Sequence, residues 1–300
     1  MNKVILEKDV LKIRKLADLV PELRGKMMLE RMGGLTNHTY KVCMENGSCY
    51  AVRIPGDGTE ELIDRKDEKI STELACSLGI DAHMLYFGPE GSKVTEYIPN
   101  AVTMSAKTMQ MPGHIRQAAE VFRTLHSCEK NTGVLFDVFD MAAGYEKIIR
   151  RCRVPFFDDY ESIKNQVMKI KEEIDRKCRP VLVPCHNDPL CENWVEGCGK
   201  MYLIDWEYAG MNDGMWDLAD ISIEAGYGRE EETLLLRYYL GCEQVSSFCR
   251  KQFTANKIYV DYLWTLWAKT RVPYDGEPME SWAEERYKRL QQNLMAYASV

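Results

Sequence analysis

A chain of 300 residues, 45% hydrophobic and 28% charged, has enough apolar residues for two unequal packed units and too many to be intrinsically disordered. Thirty-nine Lys and Arg against 46 Asp and Glu give a net charge of −7, which argues against nucleic acid or an anionic membrane as partner and suits a cationic small molecule better. The first twenty residues lack the apolar core of a signal peptide, and no window nears 18 uninterrupted apolar residues, so a cytoplasmic protein without membrane insertion is expected.

In chain order, the first informative stretch is RMGGLTNHTYKV (31–42), where two glycines and then Thr36, Asn37 and Thr39 precede a predicted strand. Backbone amides and hydroxyls placed this way can approach phosphates, although a plain turn would use the same Gly33–Gly34 pair. The β-branched and aromatic content of SCYAVRIP (48–55) and SKVTEYI (92–98) predicts two strands. Between them Ile63, Ile70, Leu74 and Leu78 recur at helical spacing, which predicts a helix ending near Gly79. Arg53, inside the first of these strands, is placed to grip phosphate. Glu68 on the helix is its candidate ion-pair partner, with Glu73 close behind, and a solvated helix charge is the plain reading of either. Glu96 and Ile98 fall where hinge backbone groups would meet adenine.

Beyond YIPNA the pattern turns helical. Ile163, Val167, Ile170 and Ile174 form one stripe, with Asp158 or Asp159 as N-cap. The chain therefore reads as α+β, with a small β-rich N-terminal nucleotide-binding lobe over residues 1–97 and a larger, mostly helical C-terminal lobe over residues 98–300. Eleven cysteines, an odd number scattered from Cys43 to Cys249, fit reduced thiols better than a disulfide framework. The gaps among Cys185, His186, Cys191 and Cys198 match no common zinc spacing.

The densest chemistry lies in CHNDPLCENW (185–194), followed by the turn EGCG and the strand KMYLIDWE. Folding this hairpin about Gly197 and Gly199 brings Asn193 level with Asp205. An Asn amide oxygen and a carboxylate, completed by phosphate oxygens, can hold Mg²⁺. Asp188 begins the turn, where it can accept a proton from a substrate hydroxyl, two residues after His186. The order His-x-Asp-x-x-x-x-Asn, a strand, then Asp is shared by protein kinases and by small-molecule kinases on the same scaffold, which use ATP with Mg²⁺.

Taken with YLIDWEYAGMNDGMWDLAD, these residues make the chain resemble the choline and ethanolamine kinases of the aminoglycoside phosphotransferase superfamily, and more narrowly the bacterial choline kinases. The resemblance covers nearly the whole chain. It implies a two-lobed protein-kinase-like fold, a substrate pair at Glu207 and Tyr208, an Asp217 that braces the catalytic loop, a Glu224 ahead of the alcohol site, and a Trp-x-x-Trp at Trp264 and Trp267. No Asp-Phe-Gly is present, and the eleven residues before Trp216 leave no room for an activation segment, so a protein substrate is not expected.

The residues themselves favour choline as acceptor. A trimethylammonium group donates no hydrogen bond, so it is held by aromatic faces and a nearby carboxylate. Trp264 and Trp267 are three apart and share a helix face, whether as core or as binding site. Tyr227, Trp206 and Trp282 are further candidate walls. Ethanolamine, an aminoglycoside, or an inactive binding module on the same scaffold are the rival readings.

Overall fold

The computed structural model describes residues 4–33, 37–56, 63–177 and 179–298, so Thr36, expected at the nucleotide, lies outside the described residues, as does Gly34. In chain order the elements are α1 (Glu7–Leu19), β1 (Met27–Gly33), β2 (Asn37–Met44), β3 (Cys49–Pro55), α2 (Arg65–Ser77), β4 (Met84–Phe87), β5 (Lys93–Glu96) and β6 (Val102–Thr103). There follow α3 (Ala106–Met109), α4 (Pro112–His126), α5 (Val138–Arg151), α6 (Tyr160–Lys177), β7 (Leu182–Cys185), β8 (Trp194–Gly197), β9 (Lys200–Leu203) and β10 (Gly210–Asp213). The chain ends in α7 (Met215–Glu224), α8 (Arg229–Leu240), α9 (Ser247–Asp275) and α10 (Glu277–Tyr297). It divides into two compact units, one of residues 1–104 with 192–209 and one of residues 105–191 with 210–300.

The first unit is built on an antiparallel sheet in the order β1-β2-β3-β5-β4, beside a smaller sheet β6-β8-β9. Ile13 and Leu16 of α1, with Val20 and Leu23 just after it, bury against Tyr40, Val42, Val52 and Ile54 of the central strands. Non-directional burial of this apolar surface is the main force holding helix to sheet. Asp64 caps α2, its carboxylate accepting the Lys66 and Asp67 amides at 2.8 and 3.4 Å. The inward face of α2 is not the apolar stripe read from the sequence. Ile70 is 41% exposed, whereas Glu68, Ser71, Thr72 and Ala75 are buried, because the side chain that must reach inward is a carboxylate.

Cys43 and Cys49 form a disulfide, which corrects the expectation of reduced thiols throughout. They are directly opposite each other in the β2–β3 register, on either side of a tight turn. The other eight described cysteines are free.

The second unit is helical, with β7 and β10 paired antiparallel inside it. Ile163, Val167, Ile170 and Ile174 of α6 are all buried, as their spacing predicts. The long α9 packs against α5, α7 and α10, and most of its residues from Phe253 to Thr270 are buried. Among the described residues no helix is long and apolar enough to cross a membrane.

Candidate active site

In the first unit the β8–β9 hairpin sets two oxygen donors at one end. Trp194 pairs with Leu203, and the Asn193 carbonyl accepts the Ile204 amide at 2.9 Å, so Asn193 and Asp205 both flank that pairing. Asp205 has a φ of +69°, a left-handed backbone that costs a non-glycine residue roughly 1–2 kcal/mol and that Asp and Asn tolerate best. Such strained positions cluster at functional sites.

Arg53 of β3 is buried and meets Glu68 at 2.5 Å, Asp205 at 3.2 Å, Glu207 at 3.6 Å and the Gly91 carbonyl at 2.9 Å. Of its two candidate helix partners, Glu68 is the one it reaches; Glu73 pairs with Lys69 in an exposed position. Asn37 donates to Glu207 at 3.0 Å. Carboxylate oxygens of Glu68, Asp205 and Glu207 lie within 4.8 Å of one another. This is a donor set of hard oxygens, and it fits Mg²⁺.

A cleft of about 170 Å³ opens beside them, lined by Asn37, Arg53, Glu96, Ile98 and Asp205 among others. Its volume suits part of a nucleotide. A Cβ on Gly197 would lie 2.4 Å from Ile98 Cγ2, so glycine is what lets the hairpin end approach the Ile98 wall. Lys93, also in the lining, pairs with Asp81 at 3.7 Å. Burial lifts the Asp81 carboxyl above the usual carboxylate range, with the Lys93 charge opposing.

In the second unit Asp217 holds the His186–Asp188 segment by its backbone. Its two oxygens accept the His186 and Asn187 amides, each at 2.8 Å, and one also meets His126 Nε2 at 3.0 Å. Asn187, with φ of +67°, is held further by Asn212, which donates to its side chain at 2.9 Å, and by Trp216, which donates to its carbonyl at 2.9 Å. The Asp188 amide donates to His186 Nδ1 at 3.3 Å, and its carbonyl accepts the Leu190 amide at 2.8 Å. The backbone of the candidate base is thus fixed on both sides.

Also in this unit, Trp264 and Trp267 of α9 lie edge to face with centroids 6.1 Å apart, and Trp282 of α10 extends the series at 5.8 Å from Trp267. The Arg286 guanidinium sits 4.0 Å over the Trp282 ring and pairs with Glu224 at the end of α7. Trp264 is the more deeply buried of the α9 pair, while Trp267 and Trp282 are half-buried. Tyr227 is buried and donates to the Met109 carbonyl at 2.8 Å, so its hydroxyl is committed. Trp206 is a core residue of the first unit, donating to the Leu203 carbonyl at 3.2 Å. Tyr208 is half-buried, and Glu207, expected beside the substrate, lies in the Arg53–Asp205 cluster.

Residues 29–285 match the choline/ethanolamine kinase family profile. The chain belongs to the choline/ethanolamine kinase family. It is 28% identical to protein LicA of Haemophilus influenzae over 264 residues, covering 85% of this chain and 76% of that one. Its fold matches a choline/ethanolamine kinase family protein of Mesorhizobium loti with a TM-score of 0.84 at 30% identity, covering 97% of this chain and 99% of the other. It also matches choline kinase LicA of Streptococcus pneumoniae with a TM-score of 0.78 at 31% identity, covering 96% and 99%. The chain is therefore a small-molecule kinase with a protein-kinase-like α+β fold.

Two arginines of this kinase escape a reading of the sequence. Arg65 stands three residues before Glu68, a faint helical-pair signal, and bonds both Glu68 and Glu207. Arg286 carries no local signal, since its partner Glu224 is 62 residues away in the chain.

Proposed function

We propose that this kinase transfers the terminal phosphoryl group of ATP to the hydroxyl of choline, giving phosphocholine and ADP. The tryptophan series carries this reading. Trp267, half-buried and in edge contact with both Trp264 and Trp282, offers the kind of ring face a trimethylammonium group needs, and the Arg286 guanidinium over Trp282 is a cation held by an indole of the same series. Glu224, the carboxylate expected ahead of the alcohol site, is engaged by Arg286. Asp188, Asn193 and Asp205 are all present, which argues against an inactive scaffold.

Asp188 takes the hydroxyl proton, the alcohol oxygen attacks the terminal phosphorus, and ADP leaves. Asp217 and His186 hold the loop that presents Asp188. On the nucleotide side Arg53 steadies phosphate, the backbone near Glu96 and Ile98 meets the base, and Asn193 with Asp205 would hold Mg²⁺. Bound there, the ion supplies charge neutralisation for the phosphates.

The test is ADP release from ATP and Mg²⁺ with choline, ethanolamine, homoserine, methylthioribose and an aminoglycoside supplied separately. Choline should accelerate release most. Equal or greater acceleration by another alcohol would overturn the choline assignment, and no acceleration by any of them would overturn the acceptor class.

A further inference from the structure

The three carboxylates beside Arg53 pose a charge problem that Arg53 alone does not solve. Glu68, Asp205 and Glu207 bring three negative charges within 4.8 Å of one another, and one guanidinium leaves an excess of two. Like charges at that range repel strongly when partly buried. Arg65, the first residue of α2, is the second cation. One of its nitrogens, Nη1, donates to Glu68 Oε2 at 2.6 Å and to Glu207 Oε1 at 2.6 Å. Its side chain is only 10% exposed.

The surroundings are shaped to this side chain. Gly91, with φ of +94°, would place a Cβ 2.6 Å from Arg65 Nε, while its carbonyl accepts from Arg53 at 2.9 Å. One turn between β4 and β5 therefore makes room for one arginine and anchors the other. Burial works against the Arg65 charge, yet its hydrogen bonds to Glu207 and Glu68 raise its pKa above the ordinary guanidinium value.

We propose that Arg65 is a positioning residue that sets the charge of the metal–phosphate site, tying Glu207 to Glu68 so that the site balances between metal cation and nucleotide anion. The inference rests on the assignment of Asp205 to Mg²⁺. Its signature is a split in sign. Removing a cation from this cluster favours any incoming cation and disfavours any incoming anion, whereas simple loss of structure weakens both.

The experiment measures Mn²⁺ binding to the free enzyme by electron paramagnetic resonance, and ATP binding by calorimetry at saturating Mg²⁺ without acceptor. Arg65→Gln should bind Mn²⁺ several-fold more tightly and ATP about tenfold more weakly, while Arg65→Lys, which keeps the charge, should restore both to within about threefold of wild type. If the Gln variant does not fold, the Lys variant still decides, since Mn²⁺ and ATP affinities both shifted by about tenfold despite the retained charge would overturn the proposal. Parallel weakening of both ligands in Arg65→Gln, or no change in either, would also overturn it. So would a wild-type enzyme that binds no Mn²⁺. If the wild type binds both ligands and phosphorylates no alcohol, the choline reading fails while the role of Arg65 stands on its own split.

Discussion

Replacing Asp217 by Asn keeps the side chain's shape and removes its second acceptor. Asp217 is fully buried and receives both the His186 and Asn187 amides at 2.8 Å, with His126 at 3.0 Å on the shared oxygen. An Asn can accept with one oxygen only, and its NH₂ must face a donor. The loss is one charge-assisted hydrogen bond at about 1.5–3 kcal/mol plus one unsatisfied buried amide at about 1–3 kcal/mol, so roughly 2.5–6 kcal/mol in all. At about 2 °C per kcal/mol for a chain of this size, Tm should fall by roughly 5–12 °C. The loop that carries Asp188 shifts with it, and a displacement of about 1 Å at a reacting group can lower kcat by about 10²-fold. ATP affinity should hold, because Asn37, Arg53 and Asp205, proposed to meet the nucleotide and metal, belong to the first unit and Asp217 to the second. Thermal melts, kcat and ATP calorimetry on one preparation check all three. A Tm change under about 2 °C with kcat within about twofold of wild type would refute the idea that Asp217 fixes the catalytic loop.

Trp267→Leu keeps apolar bulk and removes the ring face, so at about 2 kcal/mol kcat/KM for choline should fall roughly 30-fold, and that for the neutral isostere dimethylbutanol far less. Equal losses for the two alcohols would reduce the indole to a shaping role. Asp205→Ala should weaken the nucleotide–metal complex and be partly rescued by raised Mg²⁺; unchanged ATP affinity with no rescue would remove Asp205 from the metal site. Asp220 is fully buried with neither carboxylate oxygen hydrogen-bonded, and burial, then the fields of Glu224 and Asp188, lift its pKa well above the ordinary value. A carboxyl raised in this way binds more protons folded than unfolded above the unfolded pKa of about 4, so its cost to stability grows from there until the folded pKa is passed. Asp220→Asn should therefore raise Tm at pH 8 relative to wild type, with the gain shrinking toward pH 4, and a gain that does not change with pH would contradict this.

Much of the candidate site was legible because it is local. The hairpin that aligns Asn193 with Asp205, the placing of Arg53 on a strand, and the α6 stripe all follow from spacing within a few residues. What escaped depends on long-range burial. The stripe through Ile70 misled because α2 turns a charged face inward, and the hydrophobic period says nothing about a helix whose inward side serves an ion-pair network. Arg286 and Glu224 meet only after α7 and α10 have packed, and the Cys43–Cys49 pair depends on a register that cysteine counting does not supply. Helix α1 also went unread, although its Ile13 and Leu16 are central to the first core.

The central claim is tested most directly by ³¹P nuclear magnetic resonance on ATP, Mg²⁺ and choline, with wild-type enzyme and Asp188→Asn side by side. Wild type should give phosphocholine and ADP in equal amounts, faster than it phosphorylates ethanolamine, and the variant should turn over roughly 10²–10⁴-fold more slowly with ATP still bound. No phosphocholine from the wild type, ethanolamine consumed as fast as choline, or an undiminished rate in the variant would contradict the account.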